Sequence, residues 1–296
     1  MVLLIRINQV SKHKCLEILT VIMSQDFNRY IPVFANAILA RHSIRNYLPD
    51  AVSPEIFTNL EQFIQQIAVP FSHQVKMSLH YAPEGKKIYY FPQPECFAAF
   101  IAPTSVQDQA KLGFCGELFI LFAVSLGLST CWMGHFWKKT TYEIVFGTYE
   151  KSAPEILYCT TPIGYRDENL NLLSKLTLKL FGKKKSVEEK LHPDSLQHFP
   201  EAIYKALDYA CKAPSAMNNQ CWRFTIKQAS DQYTVVINKP RGYRHFKWPY
   251  VNIDVGTSAA HFWVGLNNQK VPTTIKIEDD GETVDWIFII DKKHLK

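Results

Sequence analysis

The chain contains an internal repeat of domain size. Three landmarks recur in the same order at nearly one spacing. They are the pairs Ser43 and Ser186, Pro70 and Pro214, and Gly116 and Gly256, which are 143, 144 and 140 residues apart. Solenoid units repeat every ~20–50 residues, so a period of this length indicates whole domains. We therefore expect two fused copies of one unit, over residues 38–180 and 181–296, after an N-terminal extension at 1–37.

Composition is that of a globular protein with a sizeable core. The chain has 296 residues, which is longer than one average domain. Of these residues 47% are hydrophobic and 13% aromatic, enough to form a sizeable core. Seven cysteines form no CxxC pair, which indicates a reducing compartment and predicts a cytoplasmic location. The net charge of +6 suits an anionic cofactor or substrate, but a solvated lysine-rich surface is the better explanation for it.

No segment has the pattern of a membrane span or a signal peptide. The longest apolar run, 118–128, contains Ser125 and Gly127 and is shorter than the ~20 residues that a spanning helix needs. It predicts a buried helix.

Helical and strand patterns alternate irregularly. Proline-led helical stripes cover 54–67 and 199–210. Short segments rich in aromatic and branched residues predict strands at 88–91, 96–102, 155–160, 222–227, 233–238 and 286–291. This pattern predicts an α+β fold in which sheets pack against helices.

The segment 41–45 places two guanidiniums and a hydroxyl within five residues: Arg41, Ser43 and Arg45. Arginine forks and hydroxyls hold phosphate through charge-assisted hydrogen bonds. The alternative is a helix end with solvated charges. The repeat in register favours the phosphate site.

The segment 213–222 is a polar turn that begins at a proline and precedes a strand pattern. Its asparagine and glutamine side chains offer both donors and acceptors, which suit the edge of a heterocycle. The alternative is an ordinary loop, since proline, serine and asparagine are common turn residues.

Together the two segments resemble the flavin-binding signature of the nitroreductase family, and the resemblance covers residues 36–292. It implies a nitroreductase-like fold with mainly antiparallel sheets packed with helices. It also implies FMN at a subunit interface, where one subunit supplies Arg-x-Ser-x-Arg for the phosphate and the other supplies Pro-Ser-x-x-Asn at the isoalloxazine. The implied cofactor-binding residues in these segments are Arg41, His42, Ser43, Arg45, Pro214, Ser215, Ala216, Asn218 and Gln220.

Two further segments fit the resemblance. The run 127–134 matches a family segment that lies against the flavin ring, which makes Met133 and Gly134 expected backbone contacts. The family also places a basic residue on the phosphate beyond a Gly-Tyr turn, and Lys183 and Lys185 follow such a turn here. Any surface lysine run offers an alternative explanation for those two.

Each motif is intact in only one copy. The second copy has Glu188 where Arg45 stands in the first, and a carboxylate there repels a phosphate dianion. The first copy has 71–76 in place of the polar turn, without its serine and asparagine. We therefore expect one working flavin site in a monomeric intrachain pseudo-dimer.

The resemblance implies an FMN-dependent NAD(P)H oxidoreductase that reduces nitroaromatics, quinones or similar small electrophiles through flavin N5. The chemistry then belongs to the cofactor, and no catalytic side chain or metal is expected. The alternative is a flavin-binding or interaction protein with little or no turnover. The basic and aromatic run 239–248 resembles a nucleic-acid surface, but no nucleic-acid module surrounds it, and we expect a loop near the active-site mouth.

Overall fold

The computed structural model describes residues 27–135, 137–147, 155–169, 183–245 and 247–295. Residues 1–26 of the expected extension, and the expected boundary between 180 and 181, lie outside the described residues.

The first half builds one antiparallel sheet and its helices. Its elements are α1 (Ile31–Ala40), α2 (Pro54–Gln66), β1 (Lys76–Tyr81), β2 (Cys96–Pro103), α3 (Val106–Ser125), β3 (Ser129–Thr130), α4 (Lys139–Phe146) and β4 (Glu155–Gly164). The strand order is β1-β2-β4-β3, and every pair is antiparallel. Serine caps begin two of the helices: Ser53 Oγ accepts from the Ile56 N–H, and Ser105 Oγ accepts from the Asp108 N–H.

The second half builds a second antiparallel sheet. Its elements are a 3₁₀ turn (Glu188–Lys190), α5 (Glu201–Cys211), a 3₁₀ turn (Ala216–Asn218), β5 (Arg223–Gln228), β6 (Gln232–Asn238), α6 (Val251–Asn268), β7 (Thr274–Asp279) and β8 (Val284–Asp291). The strand order is β5-β6-β8-β7.

From α2 and from α5 onwards, the two halves share one element order: a helix, two strands, a long helix and two strands, with α1 preceding this series in the first half. Their strand orders correspond position by position. They differ in their insertions. The first half carries the loop 82–95 and helix α4, whereas the second carries the loop 239–250 between β6 and α6.

Helices α3 and α6 form the centre of the molecule and are buried over most of their length. Two glycines allow their backbones to touch. A Cβ on Gly113 would lie 2.0 Å from the Ile253 carbonyl oxygen, and one on Gly256 would lie 2.0 Å from the Ala110 carbonyl oxygen. Each residue in the first contact has its counterpart 143 positions away in the second. By these contacts Gly113, and not the expected Gly116, occupies the position in the first half that is equivalent to Gly256 in the second.

The expected helices and most expected strands are confirmed, with shifted ends. The strand expected at 88–91 is wrong: its backbone forms only an isolated bridge from Tyr89 to Trp137, because the segment folds into a loop over a small separate core. Strands β1 and β7 were not expected. Both are edge strands with much exposed surface, so they lack the apolar run used to predict strands.

In the part of the chain that the structure describes, no helix combines the length and apolar character needed to cross a bilayer.

Candidate functional site

Arg41 ends helix α1, with its N–H donated to the Ala37 carbonyl at 2.8 Å. Its side chain turns inward and is only 5% exposed, and its Nε lies 3.6 Å from Glu117 Oε1. That Nε has no hydrogen-bond partner within the described residues. A buried guanidinium with an unused donor is suited to an anionic ligand.

Glu117 connects the two central helices. Its carboxylate on α3 is fully buried and lies 2.8 Å from His261 Nε2 on α6. The Trp132 indole N–H donates to its other oxygen at 2.7 Å. The charge of Arg41 and these two contacts compensate a carboxylate that could not otherwise be buried. The sequence analysis singled out neither Glu117 nor His261 as part of the site.

His42 is exposed, and its pKa is lowered, first by partial burial and then by the nearby charges of Arg41, Arg166 and Lys184. A small cleft beside it is lined by Arg41, His42 and Arg166 together with the C-terminal end of α3. The Nε of Arg166 is also buried without a hydrogen-bond partner in the described chain. Four basic residues therefore converge here, and two of them have unused buried donors.

The rest of the first motif lies beside strand β3. Ser43 forms a backbone bridge with Thr130, and the Ile44 N–H donates to the Thr130 carbonyl at 3.0 Å. Arg45 is exposed. The pairing with β3 fixes the backbone of the motif while leaving the guanidinium of Arg45 in solvent.

The second motif is a strained turn. Met217, Asn218 and Gln220 have φ of +50°, +54° and +50°, a region that residues other than glycine rarely adopt. Such strain persists only where surrounding contacts enforce it, and it concentrates at functional sites.

Side chains and helix α6 enforce this conformation. Ser215 Oγ accepts from the Gln220 N–H at 2.8 Å, and the Pro214 carbonyl accepts from Thr257 Oγ1 at 2.9 Å. The Ala216 N–H donates to Asp254 Oδ2 at 3.1 Å. Burial raises the pKa of Asp254 to about 7, and the bond from Ala216 opposes that rise. Asp254 lies in the first turn of α6, and its carboxylate binds the strained turn.

Lys184 brings the two motifs together. Its Nζ donates to the Ala213 carbonyl at 2.6 Å and to Asn218 Oδ1 at 3.0 Å, both in the second motif. Its pKa is lowered to about 7, first by burial and then by the charge of Arg41 in the first motif. The segments 41–45 and 213–220 therefore lie within electrostatic reach of each other.

The lysines on either side of Lys184 contribute backbone contacts. The Lys183 carbonyl accepts from Asn218 Nδ2 at 2.8 Å and from Gln220 Nε2 at 3.1 Å. The Lys185 N–H donates to Gln220 Oε1 at 2.8 Å. Both residues are exposed, whereas Gln220 is buried and uses its amide within the protein. In this structure Gln220 therefore holds the turn to the 183–185 segment.

The expected ring-facing segment lies under a side chain of the second half. Met133 is buried and pairs through its backbone with Thr160, at 2.8 and 3.1 Å. Gly134 lies so close to Trp248 that a Cβ would be 2.1 Å from the indole. The run 239–248 was expected as a loop near the active-site mouth, and that stays a prediction; the sequence gave no sign that Trp248 would contact Gly134.

Comparisons with known proteins agree with this architecture. A family model described as "Putative TM nitroreductase" matches residues 34–266. A solved structure described as a putative nitroreductase from Thermotoga maritima has a TM-score of 0.55 at 19% identity, covering 86% of this chain and 92% of that chain. A nitroreductase family protein from Clostridium difficile has a TM-score of 0.39 at 13% identity, covering 55% of this chain and 98% of that chain. No curated protein matches the chain.

Proposed function

The chain belongs to the nitroreductase family, and on that premise we propose that it is an FMN-dependent NAD(P)H oxidoreductase with one flavin site. We propose nitroaromatics, quinones or related small electrophiles as its acceptors.

The observation that carries the proposal is the position of Lys184 between the two motifs. Its Nζ donates to Asn218 Oδ1 at 3.0 Å, and the nearby charge of Arg41 contributes to lowering its pKa. Helix α6 also links the two motifs, because Asp254 binds the turn and His261 contacts the Glu117 carboxylate beside Arg41. Two cations at close range repel each other, and a phosphate dianion placed beside them would remove that repulsion. The unused buried donors on Arg41 and Arg166 fit the same group.

These residues have distinct parts in the proposed site. Arg41, Arg166 and Lys184 hold the phosphate, with His42, Ser43 and Arg45 at its edge. The strained turn 214–218 faces the ring, and Asp254 and Thr257 keep that turn in place. Bound FMN would supply hydride transfer between NAD(P)H and the acceptor through flavin N5, so the protein's contribution is orientation and electrostatics.

The single-site, pseudo-dimeric arrangement is part of the proposal. It is supported by the shared element and strand order of the halves and by the reciprocal contacts of Gly113 and Gly256. Glu188 supports one site rather than two. Its carboxylate is exposed and accepts from the Tyr204 hydroxyl at 2.9 Å, so the second half presents an anion where the first presents Arg45.

A second candidate is a flavin-binding protein with little turnover. The observation that favours it is Trp248, whose indole packs on Gly134 and so takes up space beside the expected ring face that a donor or acceptor would need.

Titration of the purified protein with FMN and with riboflavin tests the cofactor proposal. Tighter binding of FMN supports a phosphate site, and equal binding contradicts it. Anaerobic addition of NADPH to the FMN-loaded protein then separates the candidates. Loss of the oxidised-flavin absorbance supports the oxidoreductase, whereas an unchanged spectrum supports the binding protein.

A further inference from the structure

A basic cleft lies on the insertion that only the first half carries. It measures about 320 Å³, within the range of small-molecule sites. Its lining is Gly85, Lys86, Lys87, Lys138, Thr141 and Ile144. No carboxylate belongs to that lining, and none of its three lysines forms an ion pair with a described residue. The lining itself is therefore positively charged, with Glu84 and Glu143 as the acidic residues adjoining it along the chain.

Aromatic and aliphatic surface borders these charges. Tyr90 is 70% exposed and Ile144 is 71% exposed, unusual values for large apolar side chains in the described chain. The Lys138 Nζ lies 5.7 Å from the centroid of the Tyr90 ring. An exposed ring beside ammonium groups is suited to a planar base that carries phosphates.

Hydrogen bonds fix the backbone of the loop that carries Lys86 and Lys87. Gln93 Oε1 accepts from the Ile88 and Tyr89 N–H groups at 2.6 and 3.3 Å, and Gln93 Nε2 donates to the Lys86 carbonyl at 3.0 Å. The Lys138 N–H donates to the Ile88 carbonyl at 2.7 Å. One glutamine thus fixes the lysine-bearing loop, and a backbone bond ties it to the base of α4.

The same scaffold reaches the expected ring-facing segment. The Tyr89 hydroxyl donates to Thr160 Oγ1 at 3.0 Å, and Thr160 pairs through its backbone with Met133. Lys138 follows Gly134 by four residues, so their Cα atoms are at most ~14 Å apart, at ~3.3–3.6 Å per residue. An extended dinucleotide can span that separation between its nicotinamide and its adenosine phosphate.

We propose that this cleft binds the phosphate-bearing adenosine half of the nicotinamide donor, and that the donor is NADPH rather than NADH. The inference rests on the proposed oxidoreductase function. NADPH carries a 2′-phosphate in addition to its pyrophosphate. Three lysines without carboxylate partners favour the donor with the larger negative charge, because lysine binds phosphate as a point charge.

Calorimetric titration of the FMN-loaded protein with 2′,5′-ADP and with 5′-AMP tests the cleft without turnover. We expect 2′,5′-ADP to bind at least about tenfold tighter, because its additional phosphate can accept charge-assisted hydrogen bonds from the lysines. The double variant Lys86→Ser/Lys87→Ser should lose that preference. The control Lys227→Ser/Lys276→Ser removes equal charge from exposed positions of the second sheet and should keep it.

Kinetics provide the second readout. The Lys86→Ser/Lys87→Ser variant should show a KM for NADPH raised about tenfold at unchanged kcat. Its rate with 1-benzyl-1,4-dihydronicotinamide, a donor without phosphates, should not change.

Three results would overturn the inference: equal affinity for the two nucleotides, equal losses in both double variants, or displacement of 2′,5′-ADP by inorganic pyrophosphate at the same concentration as by NADP⁺. The failure of the proposed function would look different. In that case neither NADPH nor the phosphate-free donor would bleach the flavin, whatever the binding data show.

Discussion

The His261 Nε2 atom on α6 lies 2.8 Å from Glu117 Oε1 on α3, in a contact that is fully buried on both sides. The other ring nitrogen of His261 lies 3.1 Å from the Tyr209 carbonyl oxygen. Both nitrogens thus face oxygen atoms. This contact joins the halves of the molecule beside Arg41, so its integrity bears on both the fold and the site.

Replacing Glu117 by alanine should destabilise the protein by about 3–5 kcal/mol, because Arg41 is left as an uncompensated buried charge. The His261→Ala change should cost less, since burial already lowers the pKa of His261. In urea denaturation, the double variant should lose less stability than the two single losses added together. Simple additivity would mean that the two residues do not interact.

Lys184 should make stability depend on pH. Its folded pKa is about 7, below the ordinary 10.5, so between these values the unfolded chain binds the proton and the folded chain does not. Stability therefore rises with pH across this window, by at most about 1.4 kcal/mol per unit.

The matched variant for this test is Lys184→Met. The stability of the natural protein relative to this variant should increase by roughly 2 kcal/mol between pH 7 and 9. Denaturant titrations at the two pH values, without FMN, measure the difference. A constant difference would show that Lys184 stays protonated in the folded protein.

The central glycines should be equally intolerant of a side chain. Gly113→Ala and Gly256→Ala each place a Cβ 2.0 Å from a carbonyl oxygen of the opposite helix. Overpacking costs about 1–3 kcal/mol, against a gain of about 1 kcal/mol from the helix preference of alanine.

Gly265→Ala, on the same helix as Gly256, provides the control, since its Cβ would lie 2.8 Å from Ala206 Cα. Its thermal midpoint should fall less than those of the other two variants. A large inequality between Gly113→Ala and Gly256→Ala would contradict their reciprocal placement.

Charge changes at Arg45 and at Glu188 should have different effects on FMN binding. Arg45→Glu should abolish FMN binding, because it places an anion at the proposed phosphate site. Glu188→Ala should leave FMN occupancy unchanged, since that carboxylate faces Tyr204. Fluorescence titration with FMN measures both affinities. Equal effects would show that the proposed assignment of a single site is mistaken.

The sequence predicted the helices and most of the strands, whereas the repeat and the site residues stay predictions. Periodicity and prolines located the helices, and the repeat of Ser43 at Ser186 gave the same 143-residue spacing as the central glycine contacts. Edge strand β7 was missed although Ile275 and Ile277 alternate with exposed residues, because two partly buried apolar positions make too short a pattern to be recognised as a strand.

Within the site, sequence patterns identified residues whose chemistry is evident from their type, such as Arg41 and Asn218. They missed Glu117, Arg166 and Asp254, which matter because of the groups that the fold brings to them. A single acidic residue inside an apolar helix, such as Glu117, is the one signal that could have been followed, since burial demands a partner.

Gly113 lies against Ile253, and Gly256 lies against Ala110. At the helix crossing, the backbone of each half therefore limits the size of the side chain that the other half can have. A larger residue at either glycine would require the backbone of the opposite helix to move away. The surface loops are under no such mutual restraint, and there each half has acquired its own insertion. The crossing of the two long helices is therefore the part of the described fold that should tolerate the least change in sequence.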